Sequence, residues 1–173
     1  MVKSYKFVIT GAFNAGKTTF VETSSDIDPV NTDRAISSEV ERKVKESTTV
    51  ALDYGKTKIG RHIIHLFGTP GQERFDFMRT ILAQDMDGFI FLIDSTDPAT
   101  LQRVAELLAT FKEMSGAPYV LAANKTDQKG VSLAQIRQRL KLPKSQALLP
   151  CVATDKASVR VVVEQLITLI ESD

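Results

Sequence analysis

The sequence predicts an α/β fold, a mostly parallel six-stranded sheet with about five helices on its two faces. Three observations predict it. Gly88 to Asp94 (GFIFLID) and Tyr119 to Ala123 (YVLAA) are continuous apolar runs, which suit strands covered on both sides. Helical stripes separate the strand-like runs, in the order β-α-β-β-α-β-α-β-α-β-α. The chain has 173 residues, 43% apolar and 25% charged, and no internal repeat, which is ordinary for one domain with a full core.

Each element has its own signal. Tyr5 to Thr10 (YKFVIT) reads as a buried strand and Lys17 to about Ser24 as a helix. Thr48 to Tyr54 (TTVALDY) alternates apolar and polar, as a half-buried strand does. His62 to Phe67 is its hairpin partner, joined through a turn near Gly60. Pro98 sits just inside a helix start with Asp97 as N-cap, and Leu101, Val104, Leu107, Leu108 and Phe111 form its stripe. Ser132 caps a short helix carrying Ile136 and Leu140. Gln146 to Val152 is a weaker strand, and Ser158 to Ile170 a last helix packed through Val162, Leu166 and Ile170. The polar stretch from Ser25 to Ser47 reads as a solvated loop plus one short helix.

Composition excludes several classes of function. With 22 basic and 21 acidic side chains the formal charge is +1, which asks for neither nucleic acid nor an anionic membrane. No apolar run approaches the roughly 18 residues of a membrane span. The single cysteine, Cys151, allows no internal disulfide and reads as a small buried core residue. Val2 and the terminal Glu171-Ser172-Asp173 carry no lipidation signal, so the expectation is a cytoplasmic domain without a membrane anchor of its own.

Two motifs carry chemistry. Gly11-Ala12-Phe13-Asn14-Ala15-Gly16-Lys17-Thr18 matches G-x-x-x-x-G-K-[ST] between a strand and a helix. Its glycines let the backbone wrap around phosphates, and the helix N-terminus adds a positive dipole. Lys17 would reach the β- and γ-phosphates and the Thr18 hydroxyl would ligate Mg²⁺. Asn14, Ala15, Gly16 and Thr19 complete this candidate nucleotide site. Asn124-Lys125-Thr126-Asp127 follows a later strand at the same sheet edge. The Asp127 carboxylate can accept from both N1–H and N2–H of guanine, and adenine would leave it unsatisfied.

A phosphate loop followed by N-K-x-D in one α/β domain resembles a small Ras-like GTPase, and the resemblance covers essentially the whole chain. It implies a three-layer P-loop NTPase fold, a single G domain over residues 1–173, with an extended switch I region at 25–47. GAFNAGKTT also resembles the phosphate loop of Arf-like members. TTVALDYG and LFGTPGQERF look closest to prokaryotic stand-alone members of the MglA-like, archaeal and actinobacterial kinds.

The resemblance implies GTP and GDP as ligands, Mg²⁺ as cofactor, and a GTP hydrolase that is slow without a partner. It makes Thr49, rather than Thr48, the switch I residue that binds Mg²⁺ and the γ-phosphate. It makes Gly71 the N–H that senses the γ-phosphate and Gln72 the residue that orients the attacking water. Val152-Ala153-Thr154 is a weak counterpart of the base-contacting S-A-K loop, with the Ala153 N–H directed at guanine O6. The implied partners are an effector and a protein activator, of roadblock type.

Three departures stand out. The D-x-x-G aspartate is Gly68, from which a weaker Mg²⁺ dependence of nucleotide affinity is expected. Phe13 replaces a small residue beside the γ-phosphate; it packs outward or points inward and slows hydrolysis, and the sequence leaves both open. Thr18 and Thr49 lie 31 positions apart, longer than the family's usual spacing. The extra residues hold Arg34 and Arg42, which are solvated surface charges or, for one of them, an arginine finger supplied in cis. A GTP-dependent scaffold without turnover is the main rival reading, and a small-molecule kinase the other. His62 and His65 are read as sharing one face of a strand without a third metal ligand.

Overall fold

The computed structural model describes residues 1–27, 30–31, 53–69 and 86–173. Its centre is β1 (Ser4–Gly11), whose Phe7, Val8 and Ile9 are fully buried. The following elements are α1 (Lys17–Ser24), β2 (Val30–Asn31), β3 (Asp53–Ile59), β4 (His62–Gly68) and β5 (Gly88–Asp94). After them come α2 (Leu101–Met114), β6 (Tyr119–Asn124), α3 (Leu133–Arg139), β7 (Leu148–Pro150) and α4 (Lys156–Ser172). One sheet runs β2-β3-β4-β1-β5-β6-β7. Its β4, β1, β5, β6 and β7 are parallel, and β3 pairs antiparallel with both β2 and β4.

Alternation along the strands builds a core on each face. Phe7 and Ile9 of β1 and Ile90 and Leu92 of β5 pack with Phe20 of α1 and Val162 and Leu166 of α4. Val8 and the intervening Phe89, Phe91 and Ile93 pack with Val104, Leu108 and Phe111 of α2 and Ile136 of α3. Both faces of β5 are buried along its whole length, which is why its sequence shows no alternation. Each such large side chain contributes roughly 1.5–3 kcal/mol of burial.

The six expected strands are all present, and the two-residue β2 adds a seventh inside the stretch read as loop. Four α-helices lie among the described residues; the one expected before β5 lies outside them. Several boundaries differ. β3 continues through Ile59, because Thr57 and Ile59 turn inward while Lys56 and Lys58 stay outside. That leaves Gly60-Arg61 as the whole hairpin turn. Asp97 stands at the expected helix start, but its side chain caps nothing, and Pro98–Thr100 form a 3-10 turn ahead of α2. Ser132 does cap α3, in a reciprocal box with Gln135. β7 is shorter than Gln146 to Val152. α4 starts two residues early because Asp155 accepts from the Ala157 N–H.

His62 and His65, three positions apart, occupy opposite faces of β4 rather than one. His62 is buried against Tyr5 and Glu171, whereas His65 contacts the Tyr54 hydroxyl and Ser4. Cys151 is fully buried, as expected, and burial pushes its thiol up to about 11. No helix among the described residues is long and apolar enough to cross a membrane.

Candidate functional site

The carboxyl ends of the parallel strands share one edge of the sheet, where α/β sheets bind ligands. Three loops leave β1, β6 and β7 at that edge. The first must turn sharply. Gly16 has φ +101°, and a Cβ there would meet the Asn124 Nδ2 at 2.3 Å, so both backbone and neighbour require glycine. Asn14 also adopts positive φ, at 64°.

Asn124 ties the three loops together. Its Nδ2 donates to the Ala15 carbonyl at 2.9 Å, and its Oδ1 accepts from the Ala153 N–H at 2.9 Å. It is 2% exposed, so both bonds are made away from water. Lys125, at φ 66°, donates to the Asn14 carbonyl at 3.1 Å and to Asp94 at 2.7 Å. Burial pushes the Asp94 carboxyl up, but the bonds from Lys125 and Thr96 outweigh it and hold the group below its usual range. A cavity of about 150 Å³ lies between the loops, lined by Gly16, Thr19, Lys125, Asp127, Ala153 and Thr154 among others. Residues drawn from three motifs far apart in sequence thus converge on one space, with the Asp127 side chain exposed at its wall.

The phosphate side is built differently. Lys17 is buried, and its Nζ donates to the Gly11 and Ala12 carbonyls at 2.9 and 3.3 Å. Desolvation lowers its pKa from 10.5 to about 8, against the pull of the Asp53 carboxylate. Thr18 is exposed, and its hydroxyl donates to Asp53 Oδ2 at 2.5 Å. A hydroxyl and a carboxylate side by side are the oxygen donors that a hard divalent cation takes, so the residues present fit Mg²⁺. Phe13 is 78% exposed, which is the outward of its two readings.

Thr49, Gly71, Gln72, Arg34 and Arg42 lie outside the described residues. The reading of Ala153 needs a correction. Its N–H is spent on Asn124, so it is not free for a base oxygen. The sequence reading also missed Asp53 and Asp94. Asp94 closes an apolar run and could have been noticed as a charge buried at the site edge. Asp53 shows itself only once β3 and β4 are paired.

A family model for the Ras family matches residues 6–172. The chain belongs to the Ras family. As a small Ras-like GTPase it is 32% identical over 131 residues to an uncharacterised protein of Methanocaldococcus jannaschii, covering 76% of each. It is also 31% identical over 126 residues to human ADP-ribosylation factor-related protein 1, covering 71% of this chain but only 60% of that protein. Among solved structures, Arl6 from Trypanosoma brucei with bound GppNp superposes with a TM-score of 0.71 at 19% identity, covering 98% of each chain. The G domain of the Thermotoga maritima FeoB iron transporter superposes at 0.70 with 18% identity, covering 95% of this chain and 98% of that one. At those identities the two structures speak for the Ras-like fold alone. The Arf-related relatives agree with the Arf-like look of the phosphate loop; the narrower likeness to MglA-like members rests on the motifs.

Proposed function

We propose that this Ras-like chain is a cytoplasmic molecular switch that binds GTP and GDP with Mg²⁺ and slowly hydrolyses GTP to GDP and phosphate. The observation that supports it most is the cavity in which Asn124 joins the phosphate loop, the N-K-x-D loop and the loop after β7. Guanine would sit there with N1–H and N2–H on Asp127. Its O6 would take the N–H of Thr154, one residue beyond Ala153, whose own N–H holds Asn124. The Lys125 stem, held between Asn14 and Asp94, would flank the base.

Lys17 would exchange its carbonyl partners for β- and γ-phosphate oxygens, and the incoming anion would restore its full charge. Thr18 and Thr49 would hold Mg²⁺, which supplies charge neutralisation on those oxygens. Gly71 would report the γ-phosphate through its N–H, and Gln72 would orient the attacking water. Loss of the γ-phosphate would then release Thr49 and Gly71, the order-to-disorder device of a switch. An effector and an activator, of roadblock type in the family's manner, would read and speed that change.

Single-turnover hydrolysis of GTP, with ATP and Gln72→Ala alongside, tests this. The expected result is GTP-specific turnover, lost by roughly two orders of magnitude or more in the variant, as for a removed transition-state contact. Tight GTP binding with no turnover in the unaltered protein, with or without an activator, would replace the hydrolase with a GTP-gated scaffold. ATP preferred over GTP would sink the reading altogether.

A further inference from the structure

The family's switch II aspartate has become Gly68, yet the phosphate side of the site is not short of a carboxylate. Because β4 is parallel to β1, Gly68 ends at the nucleotide edge. Because β3 is antiparallel to β4, its first residue begins at that same edge. The register places Asp53 directly opposite Gly68. From there the Asp53 Oδ2 reaches the Thr18 hydroxyl, the group that would ligate Mg²⁺, at 2.5 Å.

We propose that Asp53 replaces the missing switch II carboxylate and holds the hydrated Mg²⁺ of the nucleotide complex from the neighbouring strand. This rests on the GTP-binding reading above. Three features carry it. The Thr18 hydroxyl has one proton and two lone pairs, so it can give its proton to Asp53 and a lone pair to the cation at once. Mg²⁺ keeps several waters and is commonly held by only one or two carboxylates, and a carboxylate one hydrogen bond from the ligating hydroxyl is placed to accept from those waters. Finally, the two positions are close neighbours across the ladder. A Cβ on Gly68 would lie 3.1 Å from the Asp53 Cβ, 3.4 Å from its Oδ2 and 3.2 Å from Val21 Cγ2. An aspartate at both positions would crowd and add two like charges facing each other across the ladder, an unfavourable pair. Glycine at 68 leaves Asp53 its present position without that crowding. The charge of Asp53 is also the one that acts on Lys17 in this site.

The consequence reverses the expectation drawn from Gly68 alone. Mg²⁺ dependence should be retained, and it should belong to Asp53. The test follows release of a fluorescent GDP from the full chain while Mg²⁺ is titrated and then chelated. Four proteins are compared: unaltered, Asp53→Asn, Gly68→Asp, and the exchange Asp53→Gly with Gly68→Asp. In the unaltered protein, chelation should speed release strongly. In Asp53→Asn, which keeps the shape and an acceptor for Thr18, the Mg²⁺ concentration that half-slows release should rise about 10- to 100-fold. This variant should still bind GDP in chelator, showing a folded nucleotide site. The exchange should bring the Mg²⁺ response back, and Gly68→Asp alone should not improve on the unaltered protein. An undiminished response in Asp53→Asn overturns the proposal. So does an absent response in the unaltered protein that binds GDP. Failure of the unaltered protein to bind any guanine nucleotide strikes the proposed function instead, and the two failures are thus told apart.

Discussion

The base side and the phosphate side of this site are held together in opposite ways. On the base side, Asn124 uses both ends of its amide to fix two loops, and every polar partner comes from the protein. On the phosphate side, a buried lysine is parked on backbone carbonyls and a threonine on a carboxylate from the next strand. The first arrangement is finished before ligand arrives. In the second, on the proposed function, Lys17 would exchange its carbonyl partners for phosphate, while Thr18 would keep Asp53 and add the cation. On the proposed function, rigidity near the base would set selectivity at little cost on binding, while the buried Lys17 charge would be compensated by the ligand.

Removing Asn124 should break that contrast most severely. Asn124→Ala leaves the Ala15 carbonyl and the Ala153 N–H buried without partners, at about 1–3 kcal/mol each. The expected loss in GDP affinity is a hundredfold or more, with a lower melting temperature even in nucleotide-free protein. Calorimetric titration and thermal unfolding check both. A variant that melts lower but binds GDP normally would show that the amide serves only the fold.

The same contrast explains what could be read from the amino-acid sequence. The phosphate loop, Gly11 to Thr18, and the base loop, Asn124 to Asp127, were legible because each is a contiguous motif at a strand end. The buried runs of β1, β5 and β6 were legible for the same reason, since burial on both faces leaves its mark residue by residue. Asp53 was not legible, because its role arises from pairing with Gly68 across a hairpin. The sequence shows the loss at 68 and, fifteen positions earlier, an ordinary strand residue. The bond from the Ala153 N–H to Asn124 was not legible either, since nothing local says that Asn124 claims it. Neither β2 nor the end of β3 announces itself, because two residues make no pattern and because Gly55 interrupts the alternation.

Lys17 sharpens the contrast from the other side. Its folded-state pKa, about 8, lies below the ordinary 10.5. Below pH 8 the empty protein must hold a charged, desolvated ammonium, which costs stability. As pH rises from 8 to 10.5 the unfolded chain binds the extra proton, so this cost fades. Lys17→Met should therefore stabilise nucleotide-free protein at pH 7, by roughly 1–3 kcal/mol after the lost hydrogen bonds are counted. The gain should shrink towards pH 10. The same variant should lose nucleotide, having no cation for the phosphates. Urea unfolding at pH 7 and 9.5, without nucleotide, reads the effect; a destabilised variant at pH 7 would mean that Lys17 is a structural cation rather than a waiting one.

The smallest effect is expected where the two sides meet, at Asp94. Its Oδ1 accepts from the Thr96 N–H and hydroxyl at 2.9 and 2.6 Å, and its Oδ2 accepts from Lys125 at 2.7 Å. Asp94→Asn keeps an acceptor for Thr96 but turns an amide NH2 towards Lys125, losing both the charge and the hydrogen bond there, so the expected cost is about 1–3 kcal/mol in stability. Lys125 would be held less firmly over Asn14, and GDP affinity should fall by a severalfold amount. Because the folded carboxyl sits below its usual 3.8, its contribution is full above that value and disappears as pH falls through the folded value. The two proteins should thus differ at neutral pH and converge in acid. A double-mutant cycle of Asp94→Asn with Lys125→Met isolates the pair. Coupling near zero would make Asp94 a cap for the loop after β5 and leave Lys125 positioned by Asn14 alone; coupling of about 1 kcal/mol would make the carboxylate the element that carries the order of the base side across to the phosphate loop.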